Sequence, residues 1–165
     1  MNKTPHSLYT IRFTDCDLFG HLNNGRYIDY LLNAREDHLK TEYGLDLTDF
    51  YKQGLSWLVA GHEISYIRPA AYNERVCITS ALLKADAGSL LVEMQMTDEH
   101  ETHLKSLMWT KFIHVNAKTG RRENHTEAFM DFARSVEVNE LDITRGYQQR
   151  LKELIDMIRT RSQNP

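Results

Sequence analysis

The stretch from Ser56 to Val115 constrains the fold most, because it holds four strand-like runs whose connections are too short for anything but turns. Ser56–Arg68 is rich in β-branched and aromatic residues and stops at Pro69, Glu74–Lys84 and Leu90–Thr97 follow, and Leu104–Val115 ends at Asn116-Ala117-Lys118-Thr119-Gly120. A parallel pair needs a crossover helix, and neither Pro69–Asn73 nor Asp86–Gly88 has room for one. The strands must run antiparallel, with Asp86-Ala87-Gly88 turning a hairpin and Asp98–Thr102 forming a second, polar turn. Gly61 predicts a bend or bulge inside the first run.

Two elements precede these strands. Leu8–Phe13 alternates like a half-buried strand, and Asn24–Tyr43 carries Tyr27, Ile28, Leu31, Leu32, Ala34 and Leu39 at helical spacing. Asn23 or Asn24 is placed to cap that helix, Glu36 and Lys40 to pair along it, and Gly44 to end it. Leu45–Gly54 reads as a polar connector. The order predicts an α+β fold, a curved antiparallel sheet packed against one long helix. Residues 1–125 form the main domain on this reading. Residues 126–165 are a helical extension: a short helix over Thr126–Arg134, then a stripe of Tyr147, Leu151, Leu154, Ile155 and Ile158 that must pack on the same domain or on a partner protomer.

Composition excludes several functions. A net charge of −3 with mixed signs, and Arg121-Arg122 as an isolated basic pair, argue against nucleic acid. Met1–Tyr9 has no apolar run, and nothing approaches the roughly 20 residues needed to span a bilayer, so a cytoplasmic protein without membrane contact is expected. Cys16 and Cys77 lack CxxC spacing and read as reduced structural thiols, with Cys16 a lesser candidate for a nucleophile. GxSxG, P-loop and GxGxxG motifs are missing. Asp98–His103 is the densest set of potential metal ligands, but its place at a hairpin tip favours a solvated turn, and no metal is expected.

The remaining candidate is the acidic turn Thr14–Tyr27 that leads into the long helix. Asp15 and Asp17 are two residues apart, and one carboxylate is expected to face the helix while the other faces away. Asp17 is either a turn former or a catalytic acid. Beside it lie the unpaired N–H groups and positive dipole of a helix start, which can hold the oxygen of an acyl carbonyl while a carboxylate attacks it or directs water to it. His21 is either a base or substrate contact, or a residue that stiffens the turn. Glu36 and Asp37 read as solvated acids.

The run Phe13-Thr14-Asp15-Cys16-Asp17-Leu18-Phe19-Gly20-His21-Leu22-Asn23-Asn24-Gly25-Arg26-Tyr27, with Ser65-Tyr66-Ile67-Arg68-Pro69-Ala70, resembles hotdog-fold acyl-CoA thioesterases of the 4-hydroxybenzoyl-CoA thioesterase type. The resemblance covers about Leu8 to Arg122 and leaves the tail unexplained. It implies a sheet wrapped around a central helix, and protomers paired into a homodimer or homotetramer with active sites at the interface. It also implies Asp17 as nucleophile or general base and the amide near Asn24 as the carbonyl-polarising donor. Gly20 permits close approach in the turn, His21 and Asn23 become substrate-contact candidates, and Arg68 is one of seven cations able to meet CoA phosphates, with Arg75, Lys84, Lys105, Lys111, Arg121 and Arg122. CoA would be part of the substrate, with no separate cofactor. Hydrolysis of acyl-carrier-protein thioesters, and acyl-CoA binding without turnover, are the alternatives.

Overall fold

The computed structural model describes residues 1–163, in which five strands form one antiparallel sheet in the order β1-β3-β4-β5-β2. They are β1 His6–Thr10, β2 Leu55–Tyr66, β3 Arg75–Asp86, β4 Ser89–Asp98 and β5 Leu104–Asn116. β2 to β5 lie where sequence placed them. β1 ends earlier than its alternation suggested, because the chain wraps the end of β3, with the Ile11 N–H on Glu74 O, and then coils into a 3-10 turn over Phe13–Asp15. The bulge expected near Gly61 is present between Val59 and Gly61, and a second interrupts β3 between Leu82 and Lys84. Bulges bend strands and deepen their twist, so the sheet curves around the helix on its inner face.

That helix, α1, is Asn24–Tyr43 and stops at Gly44, whose φ of 65° is the left-handed conformation a helix end requires. Tyr27, Leu31 and Ala34 pack against Val76, Ile78, Val92, Met94, Met96 and Met108 of the sheet. The same helix face buries two residues that hydrophobic periodicity passes over, Arg35 and His38. His38 Nδ1 is 2.8 Å from Ser80 Oγ and its Nε2 3.1 Å from Ser7 Oγ, while Arg35 Nη1 donates to Ser80 Oγ at 3.2 Å. Small hydroxyls on β1 and β3 thus give a buried polar stripe its partners.

The segment read as a polar connector contains a short helix, α2, Leu47–Lys52. Asp46 caps it by accepting from the Thr48 N–H at 2.8 Å and lies 3.4 Å from Lys40 Nζ. Gly44 turns Asp46 back toward α1, so Lys40 pairs there, and the expected Glu36–Lys40 pair does not form among the described residues.

The tail covers both faces of the sheet. α3, Glu127–Val136, starts at Thr126, whose hydroxyl accepts from the Phe129 N–H at 3.2 Å, and sends Ala133 and Val136 into the inner core. β1 pairs only with Arg75–Thr79, which leaves the later edge of β3 open. Glu137 bridges to Leu82 there, and the Val138 N–H donates to Leu82 O at 2.9 Å, carrying the chain to the outer face. α4, Gly146–Gln163, then lays Tyr147, Leu154 and Ile158 on Ala81, Leu83, Leu104, Leu107 and Trp109. At the centre of this contact the buried Glu93 carboxylate accepts from Arg150 Nε at 2.9 Å and Nη2 at 2.7 Å, from Trp109 Nε1 at 2.8 Å and from Gln95 Nε2 at 2.7 Å. No described helix is long and apolar enough to cross a membrane.

Candidate active site

The acidic turn is tied down on three sides. The Asp17 N–H donates to His21 O at 2.8 Å and the Gly20 N–H to Asp17 O at 3.0 Å. The Tyr72 N–H reaches Gly20 O at 2.8 Å, and the Leu22 N–H reaches Ala70 O at 2.8 Å, so the loop is pinned to the strand-like segment after Pro69. Gly20 has a φ of 71°, a conformation costly for any residue with a Cβ.

The two carboxylates diverge. Asp15 turns to α1, where the Tyr30 hydroxyl donates to it at 2.8 Å and Arg26 Nε lies at 3.8 Å. Asp17 is exposed, and its Oδ1 accepts from the Phe19 N–H at 2.9 Å and the His21 N–H at 3.1 Å. Those two bonds make Asp17 a turn former and also fix its carboxylate in direction. Its Oδ2 accepts no protein hydrogen bond among the described residues.

Asn23 occupies the N-cap position of α1, yet its side chain makes no capping bond, contrary to the expectation that an asparagine side chain satisfies the helix start. Its backbone N–H goes back to Asp15 O at 2.9 Å instead. The N–H groups of Asn24 and Gly25 consequently find no acceptor among the described residues. An uncapped helix start keeps its donors and its partial positive charge available to a ligand.

Asp17, His21, Asn24 and Arg68 meet in one open pocket of about 240 Å³, whose wall also includes Tyr27 and Tyr66. Gly20 and Asn23 lie in the turn behind that wall and do not line it. Tyr27 and Tyr66 were not singled out from sequence: the first sits on the apolar helix stripe and the second in a strand. Their rings meet edge-on at 5.2 Å, the Ala70 N–H donates to Tyr27 Oη at 2.9 Å, and the Tyr66 hydroxyl donates to Asn24 O at 2.9 Å. Burial raises both phenol pKa values above the ordinary range, so both stay protonated.

Cys16 is a poor nucleophile. Its Sγ lies 3.3 Å from Arg12 O, and desolvation together with the charges of Asp15 and Asp17 pushes its pKa up. At the Asp98–His103 tip, Asp98 accepts from the Thr102 and His103 N–H groups at 2.8 Å each, so its carboxylate is spent in closing the turn. The described residues contain no cluster of His, Cys, Asp and Glu able to hold a metal.

A second space lies along α1, away from Asp17. This cavity of about 280 Å³ is walled by Leu32, Leu39, Trp57, Phe112, Phe129 and Phe132. Trp57 is held there because its Nε1 donates to His125 Nε2 at 3.0 Å while His125 Nδ1 lies 3.0 Å from Asp86 O. Burial lowers the His125 pKa, which favours this neutral ring.

Known proteins resemble this chain in sequence and in fold. The curated long-chain acyl-CoA thioesterase FadM of Escherichia coli (strain K12) is 27% identical over 113 residues, 66% of this chain and 81% of that protein. Among solved structures, the hypothetical protein SAV2348 of Staphylococcus aureus, in complex with CoA, superposes with a TM-score of 0.75 at 17% identity, covering 87% of this chain and 90% of that one. DHNA-CoA thioesterase from Staphylococcus aureus gives 0.72 at 21% identity, covering 80% and 89%. These likenesses identify the sheet and its central helix as the hotdog fold. The match to the family reaches past Arg122 through α3 to the first turn of α4, so part of the tail lies within the matched region. Because that match spans residues 11–148, this chain belongs to the Thioesterase-like superfamily.

Proposed function

We propose that this protein hydrolyses acyl-CoA thioesters to the free acid and CoA, with Asp17 as the reacting carboxylate. The observation that carries the reading is that Asp17, whose carboxylate is fixed in direction, and Asn24, whose N–H has no partner among the described residues, line one pocket. A thioester carbonyl accepting from the Asn24 N–H would have its developing negative charge stabilised there. Asp17 would either attack that carbon, expelling the CoA thiolate and leaving a mixed anhydride that water then hydrolyses to the free acid, or deprotonate a water that attacks the carbon, the proton passing to the departing thiolate. The names of FadM and of the DHNA-CoA thioesterase support CoA as the carrier.

The acyl group needs a second protomer on this reading. β2 is an edge strand, paired only with β5, and Leu58 and Val59 on it are exposed. Tyr66, at one end of β2, lines the Asp17 pocket, while Leu55 and Trp57, at the other end, line the apolar cavity. Antiparallel pairing of β2 with the same strand of a copy would set the Asp17 of one protomer beside the cavity of the other. The acyl chain would then lie in that cavity, between α1 and the sheet.

Asp17→Asn tests the assignment, because asparagine keeps an Oδ1 acceptor for the Phe19 and His21 N–H groups and removes only the charge. Thiol release from a panel of acyl-CoAs should fall roughly 100-fold to 10,000-fold in kcat. Turnover within a few-fold of wild type would show that Asp17 serves the turn alone.

A further inference from the structure

If the substrate is a CoA thioester, its phosphates need cations near the Asp17 pocket, and most basic residues flanking the sheet are already engaged. Arg75 pairs with Glu99 at 2.8 Å and Lys84 with Asp86 at 3.0 Å. Lys105 is buried, held by Glu74 at 2.7 Å and by Pro69 O at 2.9 Å. Lys111 and Arg122 border a separate hollow that shares no residue with the Asp17 pocket and also carries Glu123.

The tail supplies what the sheet lacks. A groove of about 350 Å³ runs between α4 and the end of β2, floored by Ile67, Leu104, Ile155 and Ile158 and flanked by Arg68 and Arg159. It shares Ile67 and Arg68 with the Asp17 pocket, so the two spaces adjoin. Among the described residues, neither the Arg68 nor the Arg159 guanidinium is paired with a carboxylate. Ser162 Oγ donates to Thr102 O at 2.7 Å and fastens the end of α4 to the β4–β5 turn, which fixes one wall. Asp98, in the turn that bounds the groove, spends its carboxylate on the backbone of that turn.

We infer that this groove binds the phosphorylated adenosine end of CoA, with Arg159 of α4 and Arg68 on the phosphates and the apolar floor beneath the adenine. Guanidinium forks match phosphate oxygens in pairs, and an apolar floor accepts a base without specific hydrogen bonds. α4 is then part of the substrate site as well as a cover for the sheet. The inference rests on the acyl-CoA reading, and the test separates the two.

Two measurements compare wild type, Arg159→Gln and Arg159→Lys: the affinity for free CoA by titration calorimetry, and kcat/KM for an acyl-CoA relative to the same acyl group on N-acetylcysteamine, which has no phosphate or adenine. Loss of one charged contact should weaken CoA binding roughly tenfold and lower the kcat/KM ratio by a similar factor, with lysine recovering part of both. CoA affinity and ratio unchanged in Arg159→Gln, or an equal loss on both thioesters, would overturn the groove. So would a wild type that does not bind CoA. Arg159-dependent CoA binding without thiol release from any acyl-CoA would support the groove and remove the hydrolase reading.

Discussion

Replacing Arg150 by leucine removes the only charged partner of Glu93 among the described residues and leaves a carboxylate sealed between β4 and α4. Glu93 is 1% exposed and the Arg150 side chain 14%, so water cannot take over the lost contact. Burial works against the Arg150 charge, but the hydrogen bonds and charge of Glu93 outweigh it, and its pKa rises. Breaking one side of a buried ion pair costs about 3–5 kcal/mol. Trp109 Nε1 and Gln95 Nε2 still donate to the stranded carboxylate, which argues for the lower end, about 3 kcal/mol. For a domain of this size that lowers Tm by roughly 6–12 °C. Urea unfolding of wild type, Arg150→Leu, Glu93→Gln and the double variant would measure it. The double variant should recover most of the loss, since a neutral amide against leucine leaves no buried charge. A cost below about 1 kcal/mol for Arg150→Leu, or a double variant as unstable as the single, would refute the reasoning.

Two further outcomes follow from the same geometry. Burial first, and then the Arg35 charge, lower the pKa of His38 from 6.5 to about 4. Above pH 6.5 the ring is neutral folded and unfolded; as pH falls from there toward 4, only the unfolded chain takes up the proton, so up to about 3 kcal/mol of stability is lost across that window. Urea midpoints over that range should flatten in His38→Gln, and equal slopes in variant and wild type would rule out His38 as the source. Lysines at Leu58 and Val59, which are 54% and 44% exposed on the β2 edge, should prevent strand pairing between copies. Light scattering would then report monomers, with turnover lost in parallel; a double-lysine variant that stays dimeric, or a wild type that is monomeric, would exclude β2 as the interface.

The strand run and α1 were legible because each carries its own period. Leu90, Val92, Met94 and Met96 alternate along β4, and Tyr27, Leu31 and Ala34 recur along α1, so the buried faces show in the letters. The acidic turn was legible as a place for chemistry, since two acids, a glycine and a helix start coincide there. What Asp17 bonds to was not: its carboxylate answers to the N–H groups of Phe19 and His21, and only turn geometry brings them within reach.

Other features came from contacts distant in sequence. Arg35 and His38 look like solvent-facing polar positions until Ser7 and Ser80 are folded against them. Lys40 forgoes Glu36 for Asp46 because Gly44 reverses the chain. Tyr66 joins Asn24, forty-two residues away, only when β2 runs back along α1. Arg68 and Arg159 share a groove for the same kind of reason, after the chain has crossed the open edge of β3 and laid α4 on the outer face. The sequence by itself determined the antiparallel sheet, its central helix and the acidic turn, because turn length and side-chain period are local properties. The tertiary structure alone decided which donors stay free at the helix start, which cations stay unpaired and which acid is buried, because burial and hydrogen-bond partners depend on what the rest of the chain brings alongside.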